Sequence, residues 1–135
     1  MGENLDPSEK GLEIGKLLND FLIEKKQIPH PTPKIFNPRI QGWLNGFVSG
    51  ICAELGFDDK QEHTMRSAVH VTMFDGSSTG QRMGLDTLSE RQRILSEGPS
   101  LGYNAIYFEF TEKGKADGIA YTSNQVHELF IYTLL

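Results

Sequence analysis

The chain has 135 residues, of which 38% are hydrophobic and 23% charged; this composition excludes an intrinsically disordered chain and fits one globular domain, residues 1–135. The formal net charge of −5 disfavours nonspecific binding to nucleic acid or anionic membranes, because both are polyanions. With Cys52 as the only cysteine, and no secretory signal or membrane-spanning run expected, the sequence favours a cytoplasmic protein without a disulfide.

The first predicted helix begins at Pro7 and ends near Lys26. Its apolar residues recur at the spacing of one helical face: Ile14, Leu17, Leu18, Phe21 and Leu22. The following segment, 28–33, contains three prolines at alternate positions, which favours extended polyproline II geometry. Two interpretations stay open for it: a strap laid over the surface, or a flexible linker.

The second predicted helix shows the clearest helical period in the chain. It begins at Asn37-Pro38, a capping residue followed by proline at the first helical position, and ends at Leu55 before Gly56. Three glycines lie one turn apart on it: Gly42, Gly46 and Gly50. This line either meets another helix at close range or forms one wall of a ligand groove. Glu54, in the apolar arc of the last turn, is a candidate buried carboxylate unless its side chain reaches water.

Asp58 and Gln61 form a capping box for a third helix that ends around Phe74. Residues 75–84 are then predicted to be a loop, since they are rich in glycine, serine and threonine. A shorter helix should run from Asp86 or Thr87 to Ser96, with a second capping box formed by Thr87 and Glu90.

Alternating apolar residues predict an antiparallel β-hairpin over about 105–122. Ile106, Phe108 and Phe110 would share its buried face, with a turn at Lys113-Gly114. The last segment, 123–135, reads either as a helix or as a strand.

Two segments contain more apolar residues than one core-facing side needs, which predicts a surface that a second protein covers. At the C-terminus Ile131, Tyr132 and Leu135 point away from the expected core face, and Tyr107 lies on the outer face of the predicted hairpin. Exposed apolar patches usually mark interfaces, and two-fold dimers are the commonest homo-oligomers. We therefore expect a homodimer.

The histidine spacing does not predict a metal site. His63 and His70 are seven residues apart, which is about 10.5 Å along a helix, too far to hold one ion. No cofactor fingerprint is present either, so we expect neither a metal nor a cofactor.

These patterns predict an α+β fold, predominantly helical, with four to five helices packed around the central helix (about 38–55) and one hairpin (about 105–122). The favoured function is a non-catalytic interaction or regulatory module that binds a partner protein or itself. The alternative is a small-molecule sensor or small enzyme, whose site lies between the Gly42/Gly46/Gly50 face and the 75–84 loop. Its candidate ligand-binding residues are Glu54, His70, Arg82, Ser77, Ser78 and Thr79.

Overall fold

The computed structural model describes residues 6–20, 38–74, 78–100 and 102–123, and these residues form helices and turns without any strand. There are five α-helices in this part of the chain: α1 (Pro7–Asn19), α2 (Pro38–Leu55), α3 (Asp59–Thr72), α4 (Ser78–Glu97) and α5 (Tyr103–Thr122). The predicted α+β class is therefore wrong for the described residues.

The predicted hairpin over 105–122 is wrong because this segment is the single helix α5. Its buried positions include Tyr107, Phe110, Gly114 and Asp117, which recur every three or four residues, as one face of a helix does. The alternation of Ile106, Phe108 and Phe110 is typical of a strand, but only Phe110 among these three is buried.

The predicted loop over 75–84 is wrong from Ser78 onward, since α4 begins there. Thr87 lies in the middle of α4, where its hydroxyl donates to the carbonyl oxygen of Met83 at 2.9 Å. It does not begin a helix, so the second predicted capping box is also wrong.

The other helix boundaries that fall on described residues agree with the prediction, whereas the predicted capping residue Asn37 lies outside those residues. α2 has the predicted bounds, and Gly56 after it has a φ of 72°, a conformation that favours glycine. The capping box at the start of α3 is present: Asp58 Oδ1 accepts from the backbone N–H of Gln61 at 2.8 Å. The Gln61 side chain in turn accepts from the backbone N–H of Asp58 at 2.9 Å. α1 begins at Pro7 as predicted. Three other predictions fall on residues that the structure does not describe: the extension of α1 to Lys26, the 28–33 segment and residues 124–135.

The described residues divide into two compact units. Unit 1 contains 6–20, 58–74 and 78–88, and unit 2 contains 38–57, 89–100 and 102–123.

In unit 1, α1 packs on α3 with the two helices running in the same direction. A Cβ added at Gly11 would lie 2.5 Å from Ala68 Cβ, and one added at Gly15 would lie 2.6 Å from Thr72 Cβ. The absence of side chains at these two glycines therefore lets the helices approach closely. The buried apolar side chains of this unit are Ile14, Leu18, Met65, Val69, Met73 and Phe74.

Unit 2 is built on the pairing of α2 with α5. Burial of each large apolar side chain stabilises such a core by about 1.5–3 kcal/mol. The buried apolar residues are Ile40, Trp43, Leu44, Phe47, Val48, Ile51, Cys52, Ile94, Tyr107 and Phe110.

Candidate functional site

The glycine face of α2 (Gly42, Gly46 and Gly50) is covered by the backbone of α5. A Cβ at Gly42 would meet the carbonyl oxygen of Tyr107, and one at Gly46 would meet that of Thr111. At Gly50 the obstructing atom is the carbonyl oxygen of Lys115. The prediction that another helix crosses this face closely is confirmed. Residue numbers rise together on both helices, so α2 and α5 run parallel.

The close approach is reciprocal. Gly114 and Gly118 of α5 face the carbonyl oxygens of Trp43 and Phe47 of α2, where a Cβ would clash with them. Such contacts place glycine Cα–H groups against carbonyl oxygens of the other helix, an arrangement that recurs at close helix interfaces and adds weakly to their stability. Two complementary glycine rows therefore fix how deeply the helices interlock.

A buried polar bond ties the same two helices together. Trp43 donates its indole N–H to Asp117 Oδ2 at 2.6 Å. The indole ring also stacks on Phe47, with ring centroids 4.5 Å apart, and Phe47 contacts Tyr121 at 5.6 Å. Because this bond joins one position of α2 to one position of α5, it helps to set the register between the two helices.

A second polar contact in unit 2 involves Asn45. Its Oδ1 accepts from Arg91 Nε of α4 at 2.6 Å, and its Nδ2 lies 3.4 Å from the Thr111 hydroxyl of α5. One turn before Asn45, Gln41 is only 3% exposed, and its Nε2 has no hydrogen-bond partner among the described residues. An unsatisfied buried donor costs about 1–3 kcal/mol, so Gln41 is a local weak point.

Two cations lie near one aromatic ring in unit 2. Arg39 Cζ is 6.0 Å and Lys113 Nζ is 5.7 Å from the centroid of Phe110. Cation–π attraction at such distances is modest when the cation is hydrated, and Arg39 is exposed. The two cations therefore add little to the stability of unit 2.

The turn from α4 to α5 is held by Asn104, which is buried. Its Nδ2 donates to the carbonyl oxygen of Gly98 at 3.1 Å and to Glu97 Oε1 at 3.0 Å. The bond from Asn104, followed by that from Arg93, lowers the pKa of Glu97. Burial, with a smaller contribution from Glu90, raises the pKa of Tyr103. These groups anchor the end of one helix to the start of the next.

In unit 1, His70 lies inside the core rather than at a binding surface. It is 2% exposed, and its Nδ1 is 2.9 Å from the carbonyl oxygen of Arg66. Since a carbonyl only accepts, Nδ1 carries the proton in this contact. A Cβ at Gly84 of α4 would clash with the His70 carbonyl oxygen, so α4 crosses α3 at this point. Arg66 pairs with Glu62 at 2.7 Å.

The residues predicted for a ligand site are distributed over both units. Glu54 belongs to unit 2 and is exposed, as expected for a side chain that reaches water. His70, Ser78, Thr79 and Arg82 belong to unit 1, where all but His70 are exposed; Ser77 is outside the described residues.

Of the residues predicted for an interface, Tyr107 is 1% exposed and belongs to the core of unit 2. Ile131, Tyr132 and Leu135 are outside the described residues.

Sequence reasoning missed the polar residues in the interior of unit 2. Asn45 and Asp117 are buried and bond to other helices, and the half-buried Arg91 donates to Asn45. Gln41 is also buried. A usable signal was the i, i+4 spacing of Gln41 and Asn45 between the apolar residues of α2, because residues so spaced lie on one face of a helix. Asp117 carries no such signal, because the alternating pattern of the residues before it predicts a hairpin.

Within the described ranges, no group of three or more histidine, cysteine, aspartate or glutamate side chains is placed to hold a metal ion. None of the helices described combines the length and the apolar character needed to cross a membrane. The chain matches no protein-family model, no curated protein sequence and no solved structure.

Proposed function

We propose that this chain is a non-catalytic interaction module that binds a second copy of itself as a two-fold dimer. The proposal includes a regulatory role, in which binding of a partner protein to the same surface competes with self-association. We also propose a cytoplasmic location, because the only cysteine, Cys52, is a buried free thiol that needs no oxidising compartment.

The observation that carries the proposal is the covering of the glycine face by α5. A small-molecule site beside this face would need Gly42, Gly46 and Gly50 as an accessible wall. The α5 backbone already lies where even a Cβ would not fit. A ligand could reach the wall only by separating the two helices, which would also break the Trp43–Asp117 bond. The geometry therefore favours an interaction module over a sensor or small enzyme at this face.

The position of the binding surface is proposed from the sequence of the C-terminus. Residues 130–135 read Phe-Ile-Tyr-Thr-Leu-Leu, and apolar side chains in such surplus usually mark an interface. Large aliphatic side chains are also exposed singly on α1, α4 and α5, as Leu12, Leu17, Leu85, Leu95 and Ile119. Single exposed leucines are ordinary surface features and need no partner. We therefore assign the interface to Ile131, Tyr132 and Leu135, which belong to the apolar run 130–135.

Sedimentation velocity of the full chain tests the proposal. A dilution series through the micromolar range should show a species of twice the monomer mass of 15.1 kDa that dissociates on dilution. The double variant Ile131→Asp/Leu135→Asp should sediment as a monomer and retain its helical circular dichroism. Leu85→Asp is the matched control, because it places the same charge at a side chain that is 52% exposed in unit 1. It should leave the dimer intact.

Two results would overturn the proposal in different ways. A wild-type chain that sediments as a monomer at every concentration would refute self-association. A dimer that persists in the double variant would refute the C-terminal interface.

A further inference from the structure

We draw no further inference here: the strongest candidate, the side-chain amide of Gln41 buried without a hydrogen-bond partner near the start of α2, carries nothing because the described part of the chain does not show what chemistry would satisfy it.

Discussion

Replacing Gly46 with alanine should destabilise the protein, although alanine is the better helix former. A Cβ at this position would lie 2.6 Å from the backbone nitrogen of Lys115 and 2.8 Å from the carbonyl carbon of Thr111. Non-bonded heavy atoms normally approach to about 3.5 Å. α2 and α5 must therefore move apart by about 1 Å, because the obstructing atoms are backbone atoms of a helix and cannot rotate away.

The size of the effect follows from two opposing contributions. Forcing an extra carbon into a well-packed contact costs about 1–3 kcal/mol, and a radial gap of 0.5–1 Å forfeits about a quarter to a half of each neighbouring dispersion contact. Greater helix propensity returns about 1 kcal/mol. Since the clash meets two residues of a rigid helix, we take the upper end of the packing cost, about 3 kcal/mol. The net loss is then about 2 kcal/mol, or about 8 °C in Tm.

Thermal and urea unfolding followed by circular dichroism measure this loss. Ala53→Leu is the control on the same helix, because Ala53 is exposed and the change should alter the free energy of unfolding by less than about 0.5 kcal/mol. The double variant Gly46→Ala/Thr111→Ala should not recover stability, since the carbonyl of Thr111 causes the clash. An unchanged or raised Tm for Gly46→Ala, or rescue by Thr111→Ala, would refute the reasoning.

Three further changes test single interactions by urea unfolding. Trp43→Phe keeps the aromatic ring but removes the donor to Asp117, so the free energy of unfolding should fall by about 1.5–3 kcal/mol; a change below about 0.5 kcal/mol would contradict a role for this bond. Gln41→Met removes a buried donor that has no partner among the described residues and should raise that free energy by about 1 kcal/mol; a loss of similar size would mean that the amide is satisfied. Asp58→Ala removes the side-chain cap of α3 and should lower it by about 1 kcal/mol, whereas Asp58→Asn should change it little; equal losses in both variants would argue against a capping role.

The sequence predicted the helices whose ends carry local signals. α2 begins at Pro38 and ends just before Gly56, both in the prediction and in the structure. Proline suits the first position of a helix, and glycine tolerates the positive φ that follows the last helical residue. The capping box of α3 was equally readable, since both of its hydrogen bonds join residues three apart.

α5 was not readable from hydropathy because its inward face contains Gly114, Asp117 and Gly118. The two glycines have no side chain to bury, and Asp117 is a carboxylic acid residue that accepts a hydrogen bond from the distant Trp43. Ile106 and Phe108 are half-buried and alternate with the buried Phe110, a pattern that mimics a strand.

The start of α4 was hidden for a related reason. Gly84 looks like a loop residue, but it is helical, and a side chain there would clash with the carbonyl oxygen of His70. Glycine in these helices marks close backbone contact with another helix, which a sequence pattern within one element does not reveal.

For the candidate ligand site, the sequence left alternatives open: Glu54 buried or exposed, and the glycine face either a helix contact or a groove wall. Only the tertiary packing of the helices decides between them. The exposure of Glu54 agrees with its position in the last turn of α2, where a long side chain reaches water. His70 is 2% exposed, and its position in α3 did not by itself predict whether tertiary packing would cover it.

The parallel pairing of α2 with α5 also affects how the protein folds during synthesis. Trp43 and Asp117 are separated by 74 positions, so the contacts of unit 2 are far less local than those of an up-and-down helical bundle. High contact order slows folding, because the intervening chain must lose entropy before the contacts form. On the ribosome α2 emerges well before α5, with Trp43 and Phe47 lacking the helix that later covers them. The chain is most exposed to aggregation and to chaperone binding in the interval when α2 has emerged from the ribosome and α5 has not.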